Sequence, residues 1–351
     1  MRKKLLWATI LLFTVWSPVK PQNDKQAEIN KFDKDGLKTG FWVDKGKYNI
    51  EEIYYNKGLK QGVCKLYNKR TGKLEYFGEY NRNTKFGTTW YTFDEDGYFL
   101  LWTENNITKN TQRAKNGDGS YGGVFDYRSN VVMFYPNGEI EEEGTWLYDD
   151  FQSDESESIG LHLFFDFDGN KISTSNTWGF VRRSDGLKIH FYSKNNKLIE
   201  KSPNEFINQT DKNGLRYGLW KDDRKGILSY YKNGKLNGVY RVFSKTTGKL
   251  SCFGEYANGF RTGNWFYFNE KSQLVMIEKN ISVNTDKIKK DDGKEIVPKF
   301  KSYVIIYYTN GFVREEGTAL YDEDIEMDFF KTGIWKYYDK KGIILKQTKE
   351  Q

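Results

Sequence analysis

Aromatic and aliphatic side chains fall on alternate positions in short runs along the whole chain, as in Trp265-Phe-Tyr-Phe268 and Val304-Ile-Ile-Tyr-Tyr308. A period of two belongs to β-strands, whose successive side chains point to opposite faces. Between the runs stand Asn-Gly and Asp-Gly pairs, at Gly97, Gly138, Gly169, Gly234 and Gly311. Such pairs between apolar runs signal tight hairpins, because a type I′ turn needs two positive φ angles. A second turn, Gly-x-x-x-Gly, alternates with these at Gly36–Gly40, Gly214–Gly218, Gly234–Gly238 and Gly259–Gly263. Strand, hairpin, strand, glycine turn, strand reads as an antiparallel meander. Helix signals are weak throughout.

The pattern repeats at long range. Ile29–Trp42 returns as Ile207–Trp220 with 8 of 14 positions identical, and Tyr54–Tyr80 returns as Tyr230–Tyr256 with 14 of 27 identical. An in-register match of this length means two copies of one architectural unit. Matching polar interruptions break each copy: Thr108–Tyr121 against Ser282–Ser302, and the acidic Asp149–Ser158 against Asp322–Asp328. The expected architecture is all-β: an elongated antiparallel meander of repeated hairpins in two tandem copies, laid end to end as a solenoid-like array. The expected divisions are residues 1–22 as signal peptide, 23–206 as the first copy with a bridging hairpin, and 207–351 as the second copy. The bridge, within Ser175–Phe206, reads as a continuing strand pair, and the glycine-poor turn Asn269-Glu-Lys-Ser-Gln273 reads as a decayed unit.

Composition agrees with strands. The chain is 17% aromatic, with 33 Gly and only 4 Met, a poor profile for helical bundles. The basic Arg2-Lys-Lys4 followed by apolar Leu5–Trp16 reads as an export signal, shorter than the about 20 residues a spanning helix needs, with an uncleaved anchor as the alternative. Export would remove Arg2, Lys3, Lys4 and Lys20, more than half of the net charge of +7. The remaining charges of both signs are interspersed, which argues against nucleic acid as partner. Cys64 and Cys252 each stand opposite a tyrosine of the other copy, so each reads as a small buried hydrophobe. A bridge between them remains the alternative in an oxidising compartment.

The unit Tyr230-Tyr-Lys-Asn-Gly-Lys-Leu-Asn-Gly-Val-Tyr-Arg-Val-Phe243, closing in Gly248-Lys-Leu and Gly254-Glu-Tyr, resembles the MORN repeat. It is most similar to the variant form in bacterial proteins of the YwqK-type antitoxin-component kind. The resemblance covers most of residues 30–347. It implies noncatalytic repeat sheets used in contacts with proteins or membranes. The antitoxin role it also implies is cytoplasmic, which conflicts with the export signal.

Chemistry is sparse. The two histidines, His162 and His190, lie in strands, and no nucleophile–base, metalloprotease or nucleotide-binding signature occurs. The chain therefore reads as no enzyme, with no catalytic residue, resident metal or cofactor. The expected function is an exported interaction or scaffold module that contacts another protein or a cell-envelope component, with membrane contact as a lesser option. The rival reading is glycan binding through exposed aromatics at Trp90, Tyr91, Trp265 and Tyr267. The acidic loops offer Asp149, Asp150, Asp322 and Asp324 as further partner contacts or weak calcium ligands.

Overall fold

The computed structural model describes residues 29–85, 87–110, 125–149, 156–173, 178–184, 186–192, 197–289, 293–322 and 327–350. The chain forms two open eleven-stranded antiparallel meanders. The first runs from Lys31–Phe32 to Lys171–Ile172, the second from Gln209–Thr210 to Ile344–Glu350. Strands pair in chain order, except that the small hairpin of Ile288–Lys289 and Glu295–Ile296 loops out of the second sheet. That hairpin occupies the polar interruption Ser282–Ser302.

The turns divide into two kinds. Asn233 and Gly234 both have positive φ, at 52° and 75°, as the two-residue hairpin turn requires. At Gly97, Gly138, Gly169 and Gly311 only the glycine is left-handed. These are longer turns, two of them closed by an acid, Asp94 and Asp166: Asp94 Oδ1 accepts from the backbone N–H groups of Tyr98 and Phe99, each at 2.7 Å. The Asp-Gly pair thus marks the hairpin correctly but not its turn type.

The two copies are tandem in sequence, yet their sheets lie face to face rather than end to end. One buried cluster joins Phe41, Tyr54, Phe77 and Phe93 of the first copy to Leu219, Tyr230, Phe253 and Phe266 of the second. A half-polar sheet must bury its apolar face, and the duplicated sheet supplies a matching face. The contact is isologous, as in a two-fold dimer. Leu274 N donates to the Tyr54 hydroxyl at 3.0 Å, and Leu100 N donates to the equivalent Tyr230 hydroxyl at 2.9 Å. Phe77 and Phe253 occupy equivalent positions and stack on each other, with centroids 3.9 Å apart and planes at 17°. Equivalent residues touch only on a two-fold axis, so this pair marks a pseudo-two-fold through the molecule.

Around that axis the copies differ in their polar contacts. Arg241 donates to the carbonyls of Gly97 and Tyr98 at 2.8 and 2.5 Å. Its counterpart Lys65 reaches Ser272, which holds φ 65° where Gly97 holds φ 67°. A serine in that conformation is strained. Its hydroxyl accepts from Lys65 Nζ at 2.7 Å and donates to Glu52 at 2.6 Å. Lys65 also pairs with Glu52 at 3.0 Å, and Lys249 pairs with it at 2.5 Å. The turn at 269–273 has therefore not simply decayed: its glycine gives way to a hydroxyl that completes a buried ion network.

The bridge forms its own three-stranded sheet, Trp178–Arg183, Gly186–Tyr192 and Leu198–Lys201, followed by a 3-10 turn at Pro203–Phe206. It covers one end of the first sheet, where Phe167 stacks on Phe191 at 4.2 Å and Phe99 contacts Phe206. The second copy carries Gln273 and Lys340 at the places of Phe99 and Phe167. This difference explains why the bridge packs on the first sheet.

The outward faces carry a second device. Trp90 lies over Gly78, Trp265 over Gly254, and Trp335 over Gly317. In each case an aromatic covers a glycine of the neighbouring strand, a recognised way to stiffen sheets. A Cβ on residue 254 would stand 2.3 Å from the Trp265 ring. Gly254→Ala is therefore expected to destabilise the fold by about 1–3 kcal/mol or more through overpacking. Chemical denaturation would read this as a lower midpoint with an unchanged slope. An unchanged midpoint would refute the close packing.

Candidate functional site

The two sheets touch at the Phe77–Phe253 axis and again where Tyr54 packs on Gly311 and Tyr230 on Gly138, leaving a gap between these contacts. The gap forms two chambers related by the pseudo-two-fold, of about 680 and 400 Å³. Tyr54, Gly62 and Asn310 line the larger one, and their counterparts Tyr230, Gly238 and Asn137 line the smaller. The chambers meet at Thr89, Tyr91 and Glu255, which border both. Both volumes fall in the range typical of small-ligand sites, about 300–1,000 Å³.

Two acids mark the walls. Glu79 and Glu255 are equivalent residues, each following the glycine under a tryptophan and pointing inward where that tryptophan points outward. Burial raises the pKa of both carboxyls. For Glu255 a hydrogen bond donated by the Tyr91 hydroxyl offsets part of that rise. For Glu79 the ammonium of Lys279 does the same from a distance. No hydrogen bond to the Glu79 carboxylate forms among the described residues. Lys279 belongs to the larger chamber, whereas its counterpart Asn105 lines the smaller one and accepts from Thr89 at 3.1 Å.

The aromatic candidates divide between the two faces. Tyr91 points inward and lines the chambers. Trp90 and Trp265 point outward but are only 2% and 3% exposed. Each indole is pressed on a glycine below and covered above by a cation: Lys85 lies 5.0 Å from the Trp90 ring, and Arg261 lies 4.0 Å from the Trp265 ring. The expectation that these two tryptophans are exposed for glycan stacking is therefore corrected. Tyr267 is bound in the same layer, donating to Glu278 at 2.8 Å and accepting from Arg261.

Among the acidic candidates, Asp149 accepts from Asp126 N at 2.8 Å, and Asp322 ends the strand Val313–Asp322. Asp150 and Asp324 lie outside the described residues. Cys64 and Cys252 are both buried, on the outward layers of opposite sheets, and no disulfide joins them. His162 takes the place of Trp335 above Gly144, with Nδ1 2.6 Å from Glu142 and Nε2 3.2 Å from the Thr145 carbonyl. It is held inside the outer layer rather than on its surface.

Sequence reasoning missed the chambers. The signal was present in Gly78-Glu79 and Gly254-Glu255, where an acid repeats at an inward position of a strand that otherwise packs aromatics. No family model matches the chain, and no curated protein matches it.

Proposed function

We propose that the protein is an exported, noncatalytic binding module of the MORN-like kind, which holds part of a cell-envelope macromolecule in the cleft between its two copies. The observation that carries this reading is the pair of chambers walled by both copies, with the Glu79 carboxylate accepting no hydrogen bond among the described residues in the larger. A sheet pair that served only as a scaffold would close this space with apolar side chains, as it does at Phe77 and Phe253. The histidines support a noncatalytic role, since His162 is engaged by Glu142 and Thr145 and neither histidine lines the chambers. The basic and apolar N-terminus supports export.

Asn264 is exposed at the mouth of the larger chamber, so a bulky residue there blocks entry without disturbing the core. Capture of envelope material by the immobilised protein is expected to fall at least tenfold for Asn264→Trp, with an unchanged thermal midpoint. Equal capture by the two proteins would show that binding occurs elsewhere.

A further inference from the structure

We infer that the larger chamber takes a neutral, polyhydroxylated ligand, the sugar rings of a glycan. This rests on the cleft being the binding site.

The argument begins with the polar groups that the fold leaves uncommitted there. Glu79 offers a carboxylate that only accepts hydrogen bonds, and Lys279 an ammonium that only donates. Asn56 and Asn264 are exposed at the rim, with amides that do both. An anionic ligand would pair with Lys279 but be repelled by Glu79 and Glu255. A cation would suffer the reverse at Lys279. Hydroxyl groups donate and accept at once, so closely spaced hydroxyls satisfy the whole set without a net charge.

Part of the remaining wall is aromatic. Tyr54, Phe77, Tyr91 and Phe266 line the same space. Flat, rigid aromatic surfaces suit a ligand with an apolar face and a polar edge. A sugar ring has both, with C–H groups on one side and hydroxyls around its rim. The chamber, at about 680 Å³, has room for more than one such ring.

A peptide fits less well. Both walls are sheet faces whose backbone groups pair in the ladders between neighbouring strands, apart from a short gap between the Phe77–Tyr91 pair and the Asn81–Thr84 bridge. An extended peptide lying there finds no strand edge longer than that gap, so most of its own backbone N–H and C=O groups would be desolvated against side chains alone. The smaller chamber lacks an uncommitted donor–acceptor pair: Asn105 replaces Lys279 and is engaged with Thr89, and its Lys232 and Glu139 pair with each other at 2.9 Å. The ligand class is therefore assigned to the larger chamber only.

The test divides envelope material into two fractions: the insoluble glycan left after protease digestion and detergent extraction, and the detergent-soluble protein. The full chain is expected to co-sediment with the glycan. Glu79→Gln and Asn264→Ala are expected to weaken this at least tenfold, while Asn105→Ala stays within twofold. Retention by the protein fraction alone would overturn the glycan assignment and leave the binding reading intact, provided that Asn264→Trp still blocks it. Retention by glycan that all three variants preserve would place the sugar outside the chamber and overturn the inference. Retention by neither fraction would overturn both readings. Circular dichroism and thermal midpoints of each variant keep misfolding from being read as lost binding.

Discussion

Phe253→Ala is expected to lower the unfolding free energy by about 3–5 kcal/mol, the cost of emptying a fully packed aromatic site. Phe253 is 1% exposed and stacks on Phe77 at 3.9 Å. It also meets Tyr91 edge-on at 4.8 Å, while Phe77 meets Phe266 at 5.1 Å. Removing either ring leaves a void between the two sheets, beside the stacked partner that remains. Phe77→Ala should cost about as much, because the two positions are equivalent about the axis. The double variant should cost less than the sum, since both single changes remove the same stacked pair. Urea denaturation followed by tryptophan fluorescence would measure all three. Exact additivity, or a cost below about 1 kcal/mol for either single change, would mean that the sheets do not depend on this contact.

The second large effect is expected at Glu52. Its side chain is buried with those of Lys65 and Ser272, and Lys249 reaches it from the rim. Glu52→Leu strands the Lys65 ammonium in the core, which should cost about 3–5 kcal/mol. Replacing both partners, as Glu52→Leu with Lys65→Met, should restore much of the loss, because no buried charge is then left alone. Acid should reproduce part of the effect. Burial pushes the Glu52 carboxyl upward, but the ammonium groups of Lys65 and Lys249 outweigh it and hold the group below its ordinary value of 4.5. A depressed carboxyl stabilises the fold fully above that ordinary value and loses its contribution as pH falls through the folded one. The wild type should therefore lose stability below about pH 4.5 more steeply than the double variant. Parallel curves for the two proteins would show that the network contributes nothing to acid sensitivity.

The sheets were legible because they rest on local rules. Alternation in Val304–Tyr308 and glycine at the turns specify strands and hairpins within a few residues of each other. The duplication was equally plain in the identities between Tyr54–Tyr80 and Tyr230–Tyr256. What alternation does not say is which face meets the other copy. Trp90 and Tyr91 are neighbours of like composition, yet one lies under Lys85 on the outside and the other borders the cleft. That choice depends on contacts between residues some 176 positions apart, such as Phe77 with Phe253. The same distance hid the role of Ser272, whose partner Glu52 lies 220 residues earlier. A lost glycine looks like decay until the carboxylate that its replacement serves is in view.

Ser272 has a consequence for how the molecule chooses its own partner. Two identical sheets with self-complementary faces invite the first half of one chain to pair with the first half of another, especially during synthesis, before the second half exists. In such a pair Glu52 would meet Gly97 of the other chain, which has no hydroxyl to offer. The carboxylate keeps Lys65 but loses the Ser272 donor, and the mispaired state is penalised at the cost of one strained residue. The departure from symmetry thus favours the pairing within one chain by the one hydrogen bond that Ser272 donates to Glu52.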